Sequence, residues 1–469
     1  MRISRFTLLL VPTTIAATFF ADLMVSHGIA LWLFTFLNIL LIYTIRIKQK
    51  SWFYGFLASF FFLGCWLKVI VHHIFSYPYV EPSGNFTGLD IQWGEYYFTS
   101  SIFAGALIVA RLFWIFFEKP ENIIFSWRAT VRPVRINEWF RLVGFCSSFY
   151  LVNNLFAFFV TGVDAKLKLP LGLNAPIGFM ALIGIPVVLS MYLARDVAIR
   201  QKLHLRSVFS MLAIVAIASV SMASRAAIVM QAIPMLIAAT YSVSKISLQP
   251  INLRPFFIFG GFLLGVISLV SIYRIQIFAG GSAEDAELLT NFALESVFLV
   301  VDRWIGAEAI MVAVSEPTQS LGLFIQMLLE DPTKGVYSIY QNLAGSKYEF
   351  LRGLTFLTLP GYFGVIGLSG SKYLVFIVTM LLTLSGIAYE RFTQWAMFGQ
   401  SISVALISAA MANAITQMGF PRLIFPFVFQ MTALMLLLHY FFRRKFSHSR
   451  AKIAVINYLF PVNKSNYER

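Results

Sequence analysis

The chain has 469 residues, of which 59% are hydrophobic and only 12% are charged. Its mean hydropathy is +0.77, and its many long apolar runs exclude a single soluble fold and indicate a polytopic, all-α membrane protein. The formal net charge of +15 comes from short basic clusters between apolar runs. Such clusters are typical of topology signals, so the charge does not indicate nucleic-acid binding.

We predict about twelve apolar spans along the chain. The first follows the basic N-terminal MRISR and has no small-residue cleavage site, so we expect a retained helix rather than a cleaved signal peptide. The spans are predicted near residues 6–24, 28–45, 52–74, 97–117, 140–162, 176–194, 207–224, 226–244, 255–273, 372–389, 397–417 and 423–442.

The basic clusters fall on one side of the membrane if these spans alternate. Because Lys and Arg accumulate in cytoplasmic loops, that side is predicted to be the cytoplasm, and both termini share it. The clusters are Arg46/Lys48/Lys50, Lys119/Arg128/Arg132/Arg135, Arg195/Arg200/Lys202 and Arg443/Arg444/Lys445.

This topology divides the chain into four parts. Residues 1–274 form the first nine predicted spans, and 275–371 form one long outer loop. Residues 372–445 form three further spans, and 446–469 are a basic tail expected on the cytoplasmic leaflet. Within the loop, the apolar stretches 297–314 and 354–368 predict short interfacial or re-entrant helices, which suit membrane depth only where they line a cavity.

Arg225 stands in a short turn between two apolar runs, about one bilayer thickness from its nearest basic neighbours. It is therefore predicted on the outer face, where a guanidinium needs an anionic partner. Arg274, Arg303 and Arg422 are predicted on the same face, so the four arginines form a candidate anion clamp. The alternative is that each pairs with an outer carboxylate such as Asp302, Glu308 or Glu349.

Lys68 and His72 lie four residues apart in the third span and share one helix face. Ionisable residues at this depth favour a functional role, and a histidine can exchange protons near neutral pH. The alternatives are that Lys68 snorkels outward and that the histidine is only hydrogen-bonded. The adjacent pair His72 and His73 fits no metal motif.

The long loop carries further candidates. Asp302, Glu308 and Glu349 are candidate bases for activating a hydroxyl. Lys347, Tyr348 and Arg352 are candidate sugar-binding residues. A solvated loop face explains the last three equally well. No nucleotide-binding or serine-hydrolase motif occurs. Cys65 and Cys146 lie inside apolar runs, which supports neither a disulfide framework nor a metal site. We therefore expect no cofactor and no metal.

Three short stretches, with the overall architecture, carry a resemblance to a known family. They are the Ser-Arg-Ala-Ala hairpin at 224–227, the Asp-Arg-Trp-Ile-Gly-Ala-Glu run at 302–308 and the Thr-Leu-Pro-Gly passage at 358–361. With about a dozen spans and one long outer loop in the second half, the chain resembles bacterial O-antigen and exopolysaccharide repeat-unit polymerases of the Wzy type, which are related to O-antigen ligases.

The resemblance implies a GT-C-like glycosyltransferase in the bacterial inner membrane, without cofactor. Its substrates are glycans carried on undecaprenyl diphosphate, and a chain-length regulator is a candidate partner. Arg225, Arg303, Arg274 and Arg422 would bind the diphosphate, and His72, Glu308 or Asp302 would accept the proton of the attacking hydroxyl.

Three alternatives remain from the sequence, one of which is a purely structural membrane scaffold that predicts little effect from the loss of any single outer arginine. An O-antigen ligase, which transfers finished glycan to lipid A core, shares the donor and the arginines, so the sequence separates it poorly. A transporter or flippase of polysaccharide or lipid-linked sugar would show an internal repeat and midplane charges. The sequence has no such repeat, and its charges crowd the outer face.

Overall fold

The described residues form helices and no strand, as the composition predicts. A computed structural model describes residues 5–25, 28–45, 47, 51–77, 79, 81–117, 134–160, 166–200, 205–222, 234, 261, 265, 301, 304, 306–330, 338–345, 359–398, 400–418 and 421–459. The first seven helices are α1 (Arg5–Val25), α2 (Gly28–Thr44), α3 (Trp52–Phe75), α4 (Asp90–Phe117), α5 (Ile136–Phe156), α6 (174–200) and α7 (Leu205–Ser221).

Seven further helices follow in the second half of the chain. Four are short and lie within 275–371, and three are longer. They are α8 (Ala307–Ser315), α9 (Leu321–Leu329), α10 (Ile339–Ala344), α11 (Gly361–Gly367), α12 (Lys372–Ala396), α13 (Ser401–Asn413, continued by the wider turn Ala414–Met418) and α14 (Pro421–Leu459).

Within the part of the chain that the structure describes, five helical stretches are long and apolar enough to cross a membrane. Four shorter apolar helices, in α1, α2, α7 and α13, match further predicted spans. The predicted spans 226–244 and 255–273 lie almost entirely outside the described residues. The five stretches are Trp52–Phe75, Asp90–Phe117, Asn174–Val197, Lys372–Ala396 and Arg422–Phe441.

The long helices pack in two connected groups. In the first, α4 packs against α2 and α12, and α3 packs against α13. In the second, α5 packs against α7, and α6 joins the groups by packing on α13. Gly386 of α12 allows the closest approach, because a Cβ there would lie 2.0 Å from a ring carbon of Phe53 in α3.

The bundle has two distinct ends. At one, Lys372 at the start of α12 contacts Glu95 of α4 at 2.8 Å. At the other, Glu390 of α12 accepts hydrogen bonds from the start of α3. We call the first the loop end, since α8 packs there against α4, and we call the second the opposite end.

The short helices of 275–371 are built into the loop end. Residues 307–313 of α8 are all buried, and α8 packs against α11. Glycines make this contact possible, because a Cβ at Gly364 or Gly367 would lie under 3 Å from the Cβ of Ala309 or Ala313. The result is a helix pair inside the protein, with Glu308 on its first turn.

Candidate functional site at the loop end

The last two turns of α3 carry a row of buried polar side chains. A π-helical turn, Phe62–Leu67, directly precedes the α-helical segment Lys68–Phe75. Lys68, His72 and His73 are all buried there. Wide turns of this kind are frequent at functional sites.

Lys68 forms a buried ion pair with Glu308. Its ammonium nitrogen contacts Oε1 of Glu308 and donates to the backbone carbonyl of Trp304 at 3.3 Å. The alternative that Lys68 snorkels outward does not hold, because its side chain is 0% exposed. Among the described residues, Glu308 pairs with Lys68.

The backbone around Glu308 lies directly on α3. A Cβ at Gly306 would lie 2.8 Å from the sulfur of Cys65 and 3.1 Å from the carbonyl carbon of Gly64. Only a glycine permits this approach without displacement of α3. Trp304, Gly306 and Glu308 are thus held on α3 by a close backbone contact and by Lys68.

The segment that follows α3 covers the other side of the short helices. Gly84 donates its N–H to the carbonyl of Ala344 at 2.9 Å, and it has a φ of +63°. A Cβ there would lie 2.7 Å from the carbonyl oxygen of Leu343. The segment between α3 and α4 therefore contacts the short helices of 275–371.

Tyr340 of α10 is buried near two carboxylates, those of Glu308 and Glu81. Its hydroxyl has no hydrogen-bond partner among the described residues. Burial raises the pKa of Tyr340 well above its ordinary value, and the negative charges of Glu308 and Glu81 raise it further. The phenol therefore stays protonated across the physiological pH range.

His72 is held by aromatic neighbours. Its ring stacks between those of Tyr77 and Tyr79, each with a centroid separation of 3.9 Å. Nδ1 donates to the carbonyl of Tyr77 at 2.9 Å, because a carbonyl can only accept. In the neutral ring, Nε2 is then the atom that accepts a proton. His73 lies 2.8 Å from the hydroxyl of Tyr97, so it ties α3 to α4.

The other predicted site residues are less fully described. Arg422 is exposed at the start of α14, which packs against α9. The remaining candidates lie outside the described residues, namely Arg225, Arg274, Arg303, Asp302, Lys347, Tyr348 and Arg352.

The helix that precedes Arg225 ends at a well-ordered polar junction. Asn153, near the end of α5, donates to the side chain of Ser221 at 3.0 Å and to its carbonyl at 3.3 Å. Ser221 in turn donates to the carbonyl of Tyr150 at 2.7 Å. The last described turn of α7 is thus fixed to α5 three residues before Arg225.

Sequence reasoning missed Tyr340 and Glu81. Neither stands in a motif, and only the folded chain brings Glu308 and Glu81 near Tyr340. Among the described residues, no group of His, Cys, Asp and Glu is arranged to hold a metal ion. Comparison with family models, curated proteins and solved structures gives no match.

Proposed function

We propose that the chain is a glycosyltransferase that polymerises oligosaccharide repeat units carried on undecaprenyl diphosphate. The proposal includes about twelve spans, a GT-C-like arrangement, cytoplasmic termini and a site at the periplasmic face of a bacterial inner membrane. It also includes binding of the diphosphate by Arg225, Arg303, Arg274 and Arg422, and of sugars by Lys347, Tyr348 and Arg352.

The observation that carries the proposal is the burial of Glu308 at the loop end. A solvated loop would leave this carboxylate exposed, yet α8 holds it inside the bundle beside Lys68. Buried ionisable groups at the end of a membrane bundle favour chemistry or transport over a scaffold role. The sequence contains no nucleotide-binding motif, which favours a donor that is activated by its lipid carrier.

In the proposed reaction, one bond forms and one bond breaks at the anomeric carbon of the donor glycan. A hydroxyl of the acceptor repeat unit attacks the anomeric carbon of the donor glycan, and undecaprenyl diphosphate leaves from that carbon. Glu308 or His72 accepts the hydroxyl proton. The arginines stabilise the negative charge that develops on the departing diphosphate.

The proposal is tested by deleting the gene in the source bacterium and measuring the length of its lipid-linked glycans. We expect single repeat units in the deletion strain and long chains after complementation with the full chain. Complementation with Arg225→Ala is expected to fail, because loss of one charge-stabilising group lowers rates about 10²–10³-fold. Arg195→Ala is the control, since Arg195 pairs with Glu138, which is on the first turn of α5.

Other outcomes identify the alternatives. Long chains that remain on the carrier lipid in the deletion strain would indicate a lost ligase. Single repeat units retained on the cytoplasmic side would indicate a lost flippase. Unchanged glycans would overturn the proposal.

A further inference from the structure

Lys68 is a buried cation to which the proposed reaction gives no part. Its side chain is 0% exposed, whereas that of Glu308 is 5% exposed. A side chain without exposed surface does not touch a substrate in this arrangement. Any effect of Lys68 on the reaction therefore passes through the groups that it contacts.

Two of those groups, both in described residues, lie on either side of Gly306, and we call the short segment that carries them the turn. Lys68 reaches the carbonyl of Trp304 at 3.3 Å and the carboxylate of Glu308. Gly306, between them, packs on Gly64 and Cys65 of α3. A single ammonium group thus fastens both ends of the turn to α3.

Stability alone does not account for this arrangement. The cost of removing two charges from water offsets much of their attraction, so a well-packed apolar pair would stabilise the same contact equally well. Unlike an apolar pair, an ion pair holds a carboxylate in a fixed position.

We propose that Lys68 is a positioning residue that holds Trp304 and Glu308 on α3 and thereby fixes the Glu308 carboxylate for proton transfer. This inference rests on the proposed function for its second half. The first half, that Lys68 holds the turn, is a statement about structure and has its own measurement.

That measurement uses the thiol of Cys65, which lies beneath Gly306. The other cysteine, Cys146, is also buried, but in α5. In a Cys146→Ala background, we expect Lys68→Met to speed the reaction of Cys65 with N-ethylmaleimide about tenfold, because the turn then opens more often. In a Cys65→Ala background, the labelling rate of Cys146 is expected to stay unchanged.

Lys372→Met provides the matched control. Lys372 is also a loop-end lysine paired with a glutamate, Glu95, at 2.8 Å, but it does not contact the turn. We expect its removal to leave Cys65 labelling and polymerisation at wild-type rates.

The second measurement is polymerisation by the purified full chain in nanodiscs, with the undecaprenyl-diphosphate-linked repeat unit extracted from the deletion strain. Lys68→Met is expected to lower kcat about 10²-fold with little change in KM, as misplacement of a reacting group does. In a Glu308→Gln background, the same substitution is expected to cost little more, because both changes act through one carboxylate.

The outcomes separate the two proposals. A wild-type chain without polymerase activity overturns the proposed function and the second half of this inference, and Cys65 labelling still decides the first half. Cys65 labelling at the wild-type rate in Lys68→Met overturns the positioning role. A kcat loss in the double variant that equals the product of the two single losses also overturns it.

If Lys68→Met unfolds, which fast Cys146 labelling would show, Glu308→Gln replaces it as the test of the contact. Slow Cys65 labelling in that variant overturns the role, and fast labelling supports it.

Discussion

Two carboxylates are buried at the two ends of the bundle, and their surroundings differ. Glu390, at the opposite end, accepts from the hydroxyl of Ser51 at 2.5 Å and from the backbone N–H groups of Trp52 and Phe53 at 2.9 and 3.0 Å. Glu308, at the loop end, is paired among the described residues with the buried side chain of Lys68.

The difference indicates what each carboxylate does. Glu390 satisfies the N–H groups that the first turn of α3 leaves without intrahelical partners, so it joins α12 to α3 as a fixed brace. Glu308 is held by the ammonium group of Lys68, which fixes its carboxylate on α3. Glu390, whose oxygens accept from the first turn of α3, therefore has a structural role, whereas Glu308 is the carboxylate that we propose for the reaction.

The largest effect is expected for Glu308→Gln. We expect the elongation rate in nanodiscs to fall about 10²–10⁴-fold, because an amide does not accept the proton. Glu95→Gln, which alters the exposed ion pair at the same end, is the control and is expected to keep its rate. A wild-type rate for Glu308→Gln would assign the proton to another group, of which His72 is the described candidate.

A smaller effect, on stability rather than rate, is expected for Glu390→Gln. The amide nitrogen no longer accepts, so at least one donor of the first turn of α3 is left unsatisfied, at about 1–3 kcal/mol. The midpoint of thermal unfolding, followed by a thiol-reactive dye on the two buried cysteines, should fall. The elongation rate per folded molecule should not change.

Glu138→Gln is the control for this stability measurement. Glu138 pairs with Arg195 at 3.3 Å, and its side chain is 36% exposed. Such pairs contribute about 0–1 kcal/mol, so the midpoint should move little. Equal losses in Glu390→Gln and Glu138→Gln would contradict the brace.

The smallest effect is expected for Tyr340→Phe. Its hydroxyl has no partner among the described residues, so removing it leaves no neighbour unsatisfied and should change the unfolding midpoint very little. The elongation rate should also be retained. A large loss of rate with an unchanged midpoint would mean that the hydroxyl contacts the substrate.

The apolar pattern predicts many helices but not their polar ends. The predicted span 52–74 matches α3 closely, because both of its boundaries coincide with a change in hydropathy. The span predicted from residue 97 begins earlier, at Asp90. There Gln92 accepts from the N–H groups of Thr87 and Gly88, and this local hydrogen bonding starts the helix before the apolar run does.

The site was predicted as separate residues and not as an arrangement. Lys68, His72 and Glu308 stand out in the sequence because charges are rare in apolar segments. Their pairing depends on contacts between distant parts of the chain, and Lys68 and Trp304 are 236 positions apart. The hydropathy pattern predicts neither these contacts nor the π-helical turn that precedes Lys68.

That wide turn, Phe62–Leu67, bears on how a polar site arises in a membrane helix. A π-helical turn holds one residue more than the α-helical turn it replaces, and each residue rotates a helix by about 100°. One inserted codon in an ancestral α-helix would therefore have turned Lys68, His72 and His73 together onto a new face, while the apolar half from Trp52 to Phe61 kept its packing. In such a helix, the amino-acid composition of each half can change independently. The relative orientation of the two halves depends on the number of residues between them, and therefore on the number of codons.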